Sequence, residues 1–270
     1  MSIKQIIKKV LKRVRTQFLK FKLKSLKEKT VIVYTLGKVG SSTLYYELKK
    51  ISPWNNIFHA HFLSDEWLKD RLLGTSFYEH NIKAARQVFK HLDAYPNHKK
   101  YIISLVREPV SRQISNFMQN PHEVVEGDLL SYSATSLKTA YLDKLSYDYT
   151  FNWFDSEFYN YTGFDVFAQP FDKTKGYSIY KHKDYHILII KLEQLNTCYH
   201  DAMKAFLGLD LQLEANANQS SNKPISHVYK ELNQLLKFET EELEQLYTHK
   251  YVTHFYTDDE IQQFIDKHSK

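Results

Sequence analysis

Apolar residues fall into four short runs, separated by longer stretches in which they recur every three or four positions. Thr30–Leu36 (TVIVYTL), Ile57–Phe62 (IFHAHF), Tyr101–Val106 (YIISLV) and His186–Leu192 (HILIIKL) are compact and mostly β-branched or aromatic, the pattern of buried strands. Helical spacing predicts helices at Ser41–Lys50, Asn81–Tyr95, Pro109–Asn120 and Glu193–Leu207, and an amphipathic helical stretch over Ser131–Phe158. Proline suits a first helical turn, where its missing N–H removes no bond. Phe164–Tyr185 alternates aromatics around Gly176 and predicts a hairpin, and two or three helices follow the polar loop Asn216–Lys223. Strands alternating with helices predict an α/β fold around a mostly parallel sheet flanked by helices. No repeat or linker divides residues 30–270, which read as a single domain.

Residues 1–29 stand apart. Apolar positions from Ile3 to Phe21 recur at helical spacing among eleven Lys and Arg, with Glu28 the single acid. A basic amphipathic helix suits an anionic membrane surface, and the same stripe would equally pack on the body or on a second subunit. The whole chain carries a formal charge of only +6. The body is therefore net acidic, which argues against nucleic acid as a partner. No apolar run approaches the roughly 20 residues that span a bilayer, and the N-terminus lacks the apolar core of a secretory signal. Cys198 is the only cysteine, so no internal disulfide and no Cys-based zinc site can form; a reducing, cytoplasmic compartment is expected. The histidines show no HExxH pattern, and no metal is expected.

Two loops carry candidate chemistry. GKVGSST, residues Gly37–Thr43, joins a buried strand to a helix, where backbone N–H groups and the helix N-terminus converge on an anion. Gly37 and Gly40 permit tight backbone geometry, Lys38 brings a mobile charge, and Ser41, Ser42 and Thr43 bring hydroxyls. The order of residues is not that of a nucleoside-triphosphate loop, because Lys38 precedes the second glycine and no Lys-Ser/Thr pair closes the turn. VREPVSRQISNF, residues Val106–Phe117, follows another buried strand. It places Arg107 at the strand end, Ser115 two helical turns later, and Arg112 between them as a spare cation. Together the loops imply a ligand with two separated anionic groups.

These two loops resemble the motifs by which sulfotransferases bind 3'-phosphoadenosine-5'-phosphosulfate (PAPS). The resemblance implies that Gly37, Lys38, Val39, Gly40, Ser41, Ser42 and Thr43 hold the 5'-phosphosulfate, and that Arg107 and Ser115, eight apart, hold the 3'-phosphate. FHAHFL (Phe58–Leu63) resembles the His-x-His stretch of heparan sulfate 2-O-sulfotransferases. A narrower resemblance is to the bacterial capsular polysaccharide synthesis proteins, themselves sulfotransferase-like. It rests on KVGSST, LVREPVSR, NWFDSEF, GFDV, PFDKTKGY and HFYTDDEI, and runs from about Thr30 to His268. It implies a Rossmann-like, P-loop-like sulfotransferase fold, PAPS as donor, PAP as product and a polysaccharide or other glycan as acceptor.

Sulfuryl transfer needs a base at the acceptor hydroxyl and shielding of the leaving phosphate. Lys38 is the candidate for the leaving-group side. His61 is the candidate base, matching the second His of the His-x-His stretch and titrating near neutrality. His59, on the same strand face, would support or replace it. Asp155 and Glu157 of NWFDSEF are rival bases, and with Trp153 they are candidate sugar contacts. Helical spacing puts Trp153 and Glu157 on one face and Asp155 off it. Lys223, in the late polar loop, is a candidate nucleotide contact, an exposed turn being the plainer reading. The expectation is a PAPS-dependent carbohydrate sulfotransferase, cytoplasmic and peripheral at the inner membrane face through residues 1–29. A non-catalytic nucleotide-binding component of a membrane-associated capsule assembly complex is the alternative.

Overall fold

The structure, a computed structural model, describes residues 26–70, 76–120, 126–127, 131–213, 231–232 and 234–270. Among these, five strands form one sheet: β1 (Lys29–Tyr34), β2 (Ile57–Ala60), β3 (Lys99–Val106), β4 (Tyr177–His182) and β5 (Tyr185–Lys191). The order is β2-β1-β3-β5-β4, parallel throughout except for β4, which runs antiparallel to β5 at one edge. Val31–Tyr34, Ile102, Ile103 and Ile187–Ile190 are fully buried. A parallel sheet is covered on both faces, which is why its strands are continuous apolar runs. Edge strand β4 alternates instead, with Ile179 facing solvent.

Helix α1 (Ser41–Ile51) carries the chain from β1 to β2 on one side. The chain then returns through α2 (Asp65–Asp70) and α3 (Ser76–Ala94) to form β3 on the other side of β1. The direction of winding thus reverses between β1 and β3. In open α/β sheets ligands gather outside the carboxyl ends of the strands at such a switch point. The turn after β1 and the turn after β3 are the two candidate anion loops. Helix α4 (Pro109–Gln119) leaves the second of them.

Two expectations are corrected. The stretch Ser131–Phe158 is not one helix. It comprises α5 (Ala134–Asp143), a break, α6 (Asp148–Trp153) and a π-helical turn (Phe154–Phe158) that runs on into α7 (Tyr159–Thr162). The hairpin pairs β4 with β5, and Phe164–Gly176 is loop. Gly176 ends that loop at φ 76°, and a Cβ there would lie 1.9 Å from Gln194 Oε1, so glycine is required on two counts. After β5, a 3₁₀ turn (Leu192–Gln194) leads into α8 (Leu195–Leu207). Three C-terminal helices, α9 (Thr240–Tyr247), α10 (Lys250–Phe255) and α11 (Asp258–His268), complete the described chain.

Of the basic N-terminal segment, residues 1–25 lie outside the described residues. Leu26 is fully buried and its carbonyl accepts from Asn56 Nδ2 at 2.6 Å. Among the described residues no helix is long and apolar enough to cross a membrane.

Candidate active site

β1 ends at Tyr34, and the chain turns through Gly37–Gly40 into α1. Lys38 has φ 71° and Gly40, the N-cap residue, φ 80°. Backbone with left-handed residues in a turn makes an anion-binding concavity, here at the start of an eleven-residue helix. Of the two glycines read as permitting tight geometry, Gly40 takes a positive φ, and the other positive φ of the turn falls on Lys38 rather than Gly37. A Cβ on Gly37 would meet only Arg112, at an ordinary 3.9 Å. Val39 is in the core, Ser42 is exposed and Thr43 half-buried. Ser41 is buried, its Oγ 2.9 Å from His59 Nε2. Lys38 Nζ donates to Gln119 Oε1 near the end of α4.

The second loop meets the first directly. Arg107 Nη1 donates to the Lys38 carbonyl at 2.9 Å, and Arg112 Nε donates to the Gly37 carbonyl at 3.0 Å. The Arg112 guanidinium also lies over the Tyr149 ring, 4.8 Å from its centroid. Arg112, read from sequence as a spare cation, is therefore a tie between the loops. The Arg107 backbone is clamped from α10: its N–H donates to the Tyr251 hydroxyl at 3.1 Å, and that hydroxyl donates to the Arg107 carbonyl at 3.0 Å. Ser115 sits two turns into α4, half-buried.

Glu108 fixes the entry to α4. Its buried carboxylate caps the Val110 and Ser111 N–H groups at 2.6 and 2.7 Å, and accepts from Tyr247 Oη at 2.8 Å and His268 Nε2 at 3.1 Å. Burial alone would raise its pKa. The hydrogen bond and charge of His268, together with the bonds from Ser111, override this and hold it down to about 2. Glu193, expected to be a helix-start residue, lies within the 3₁₀ turn before α8 and accepts from the Glu108 N–H at 2.8 Å and from Tyr256 Oη at 3.1 Å. Burial raises its pKa.

The two histidines lie at the carboxyl end of β2, ring centroids 4.8 Å apart. His61 Nδ1 is 2.6 Å from the Thr35 carbonyl. A carbonyl only accepts, so Nδ1 carries the proton and Nε2 keeps its lone pair. Burial lowers the His61 pKa against the opposing pull of that hydrogen bond. Burial, His61 and His80 push His59 down to about 3. Both imidazoles are neutral at pH 7, and His61 presents an available base nitrogen.

The π-helical turn supports this corner. Glu157 is 3% exposed. Its carboxylate accepts from Tyr34 Oη at 2.6 Å, from Ser64 N at 2.9 Å, from Ser64 Oγ at 2.5 Å and from the Leu63 N–H. Four donors on one buried carboxylate hold the chain after His61 against β1. Trp153, 1% exposed, donates from Nε1 to the His61 carbonyl at 3.1 Å. Asp155 points away from both, as helical spacing implied, and pairs with Lys250 at 2.6 Å on the surface. Lys223 lies outside the described residues. Beside the His61 segment, Trp153 and Glu157 line a cavity of about 250 Å³ together with Phe62, Trp67 and Tyr149. Tyr149 also reaches the first loop, its hydroxyl accepting from the Gly37 N–H at 3.2 Å. Tyr149 and Tyr251 carry no sequence signal of their own, whereas Arg112 lies within the REPVSR motif.

Fold and site together define an α/β protein with two candidate anion loops in contact at the switch point of its sheet and a neutral histidine pair beside them. Residues 136–257 match the model of a family described as putative capsular polysaccharide synthesis protein, the family that the motifs resemble. The matched stretch starts within α5 and ends at Thr257, so both anion loops and both histidines precede it. No curated protein and no solved structure matches the chain.

Proposed function

We propose that the chain is a PAPS-dependent sulfotransferase of capsular or other cell-surface polysaccharide synthesis, moving the sulfuryl group of PAPS to a carbohydrate hydroxyl. The observation that carries this reading is the bond from Arg107 Nη1 to the Lys38 carbonyl. It makes the loops after β1 and β3 one continuous surface, so a single nucleotide with two anionic groups can meet both. The family match supports a biosynthetic role with polysaccharide.

In this reading the turn from Gly37 to Thr43 receives the 5'-phosphosulfate, and Arg107 with Ser115 receives the 3'-phosphate, Arg offering a bidentate grip. His61 Nε2 takes the proton of the acceptor hydroxyl as its oxygen bonds to sulfur and the sulfur–oxygen bond to the phosphate breaks. The bond from Nδ1 to Thr35 steadies the imidazolium so formed. Lys38 releases Gln119 and neutralises the charge left on the 5'-phosphate of PAP. Residues 1–29 would hold the enzyme at the anionic inner face of the membrane, where polysaccharide precursors are built.

The test is transfer of labelled sulfate from PAPS to bacterial polysaccharides and oligosaccharides. Turnover that is lost in His61→Ala and in Arg107→Ala is expected. Tight PAP binding without turnover on any acceptor would instead favour the non-catalytic nucleotide-binding component.

A further inference from the structure

We infer that the cavity beside His61 is an acceptor subsite for a neutral, hydroxyl-rich pyranose, and that it discriminates against acidic sugars. The inference rests on the proposed transfer reaction for its purpose, and on the cavity itself for its chemistry. One wall is a pair of rings: Phe62 and Trp67 stack with centroids 3.7 Å apart and planes 5° from parallel. Tyr149 also lines the cavity, its ring centroid 6.1 Å from that of Phe62 and tilted by 50°. Sugar pyranoses present C–H faces that pack on aromatic surfaces, while their hydroxyls need a few well-placed polar groups. Asn152 supplies an amide and Ser156 a hydroxyl oxygen in the lining, the Ser64 hydroxyl being committed to Glu157.

The position fits an acceptor. Phe62 directly follows His61, and Trp153, which lines the cavity, holds the His61 carbonyl. Tyr149 joins the cavity to the first candidate anion loop, since its hydroxyl accepts from the Gly37 N–H. The cavity thus shares Trp153 with the His61 backbone and Tyr149 with the loop assigned to the phosphosulfate. Its charge sets the specificity. Glu66 and Glu157 are the charged groups among the described lining residues, and neither Lys nor Arg joins them. Glu157 is fixed by its four donors, and Glu66 Oε2 accepts from Asn160 Nδ2 at the rim. A uronic acid placed here would meet the exposed Glu66 carboxylate with the buried Glu157 charge behind it, a repulsion that rejects the wrong sugar without weakening the right one. Arg112, over the Tyr149 ring, is bonded to the Gly37 carbonyl and Gln113 and is not in the lining.

Saturation-transfer NMR on the full chain tests this with methyl glycosides of glucose, galactose and N-acetylglucosamine against those of glucuronic and galacturonic acid. At least one neutral glycoside is expected to bind, with the uronides at least tenfold weaker. Trp67→Ala should abolish the neutral signal. Glu66→Lys, an exposed rim change that leaves the fold intact, should shift preference towards the uronides by tenfold or more. Uronides binding as well as neutral sugars, no neutral sugar binding, or displacement of the sugar by adenosine would each overturn the inference. PAP affinity, measured separately, should be unchanged in both variants. Its absence in the wild type would sink the donor assignment while leaving the sugar result to stand.

Discussion

The described part of the chain before residue 121 and the stretch matched by the family divide the site between them in different ways. The first supplies what faces the proposed ligand: both anion loops, Arg107, Lys38 and the histidine pair. The second supplies what holds those groups still. Tyr149 bonds the Gly37 N–H, Trp153 bonds the His61 carbonyl, Glu157 gathers Tyr34, Leu63 and Ser64, Tyr251 clamps Arg107, and Tyr247 and Glu193 meet Glu108. Most of these are buried side chains that reach across to backbone groups. A loop that must present its amides to a ligand cannot also tie them into a sheet, so its rigidity has to be imported. The family-model match over residues 136–257 therefore falls on the supporting half of the site, while the resembling motifs KVGSST and LVREPVSR lie in the half that faces the proposed ligand.

Substitutions in each half should fail differently. The largest effect is expected from His61→Ala, which should lower kcat by about 10²–10⁴-fold, the usual contribution of a general base, with PAP affinity retained in calorimetry. Next is Glu157→Ala, which strands several buried donors at once. It should destabilise the fold by roughly 3–5 kcal/mol in denaturant unfolding, and Tyr34→Phe in the same background should add far less than it does alone.

The pH dependence of stability tests two buried groups within the first half. His59, held down to about 3, resists protonation that the unfolded chain accepts below about 6.5. Its folded pKa is depressed, so stability is lost as pH falls from there towards 3. Glu108, held down to about 2, is ionised in the native state while the unfolded carboxyl protonates near 4.3. Its contribution, on the order of 3 kcal/mol, is complete above that value and disappears as pH falls through about 2. Unfolding midpoints followed against pH should therefore show two acid losses, the first reduced by His59→Gln, with His61 contributing the remainder, and the second reduced by Glu108→Gln. The smallest effect is expected from Tyr251→Phe. It frees the Arg107 backbone and should weaken PAP binding by about fivefold, near 1 kcal/mol.

Much of the scaffold was legible in the sequence because it depends on local pattern. Four apolar runs became the four parallel strands, and the Pro109 helix and both loops fell where spacing put them. What failed was whatever depends on a partner. Alternation across Phe164–Tyr185 pointed to a hairpin, but only β5 reveals which residues pair. Periodicity across Ser131–Phe158 carried no trace of the break at 144–147, or of the π-helical turn that puts Glu157 under His61. Glu157 was read as a candidate base or sugar contact, and the donors that saturate it come from positions 34, 63 and 64, about a hundred residues away. Glu108 likewise depends on Tyr247 and His268. No pattern within a single helix or strand predicts such pairings.

The central claim is that one nucleotide is gripped at its 5' end by the Lys38 turn and at its 3'-phosphate by Arg107. Calorimetric titration of PAP and of AMP, which lacks the 3'-phosphate, into the wild type, Lys38→Ala and Arg107→Ala tests it most directly. The account predicts that the wild type prefers PAP by at least tenfold, that Lys38→Ala weakens both ligands alike and keeps that preference, and that Arg107→Ala binds the two equally. An Arg107→Ala variant that still prefers PAP as strongly as the wild type would contradict it.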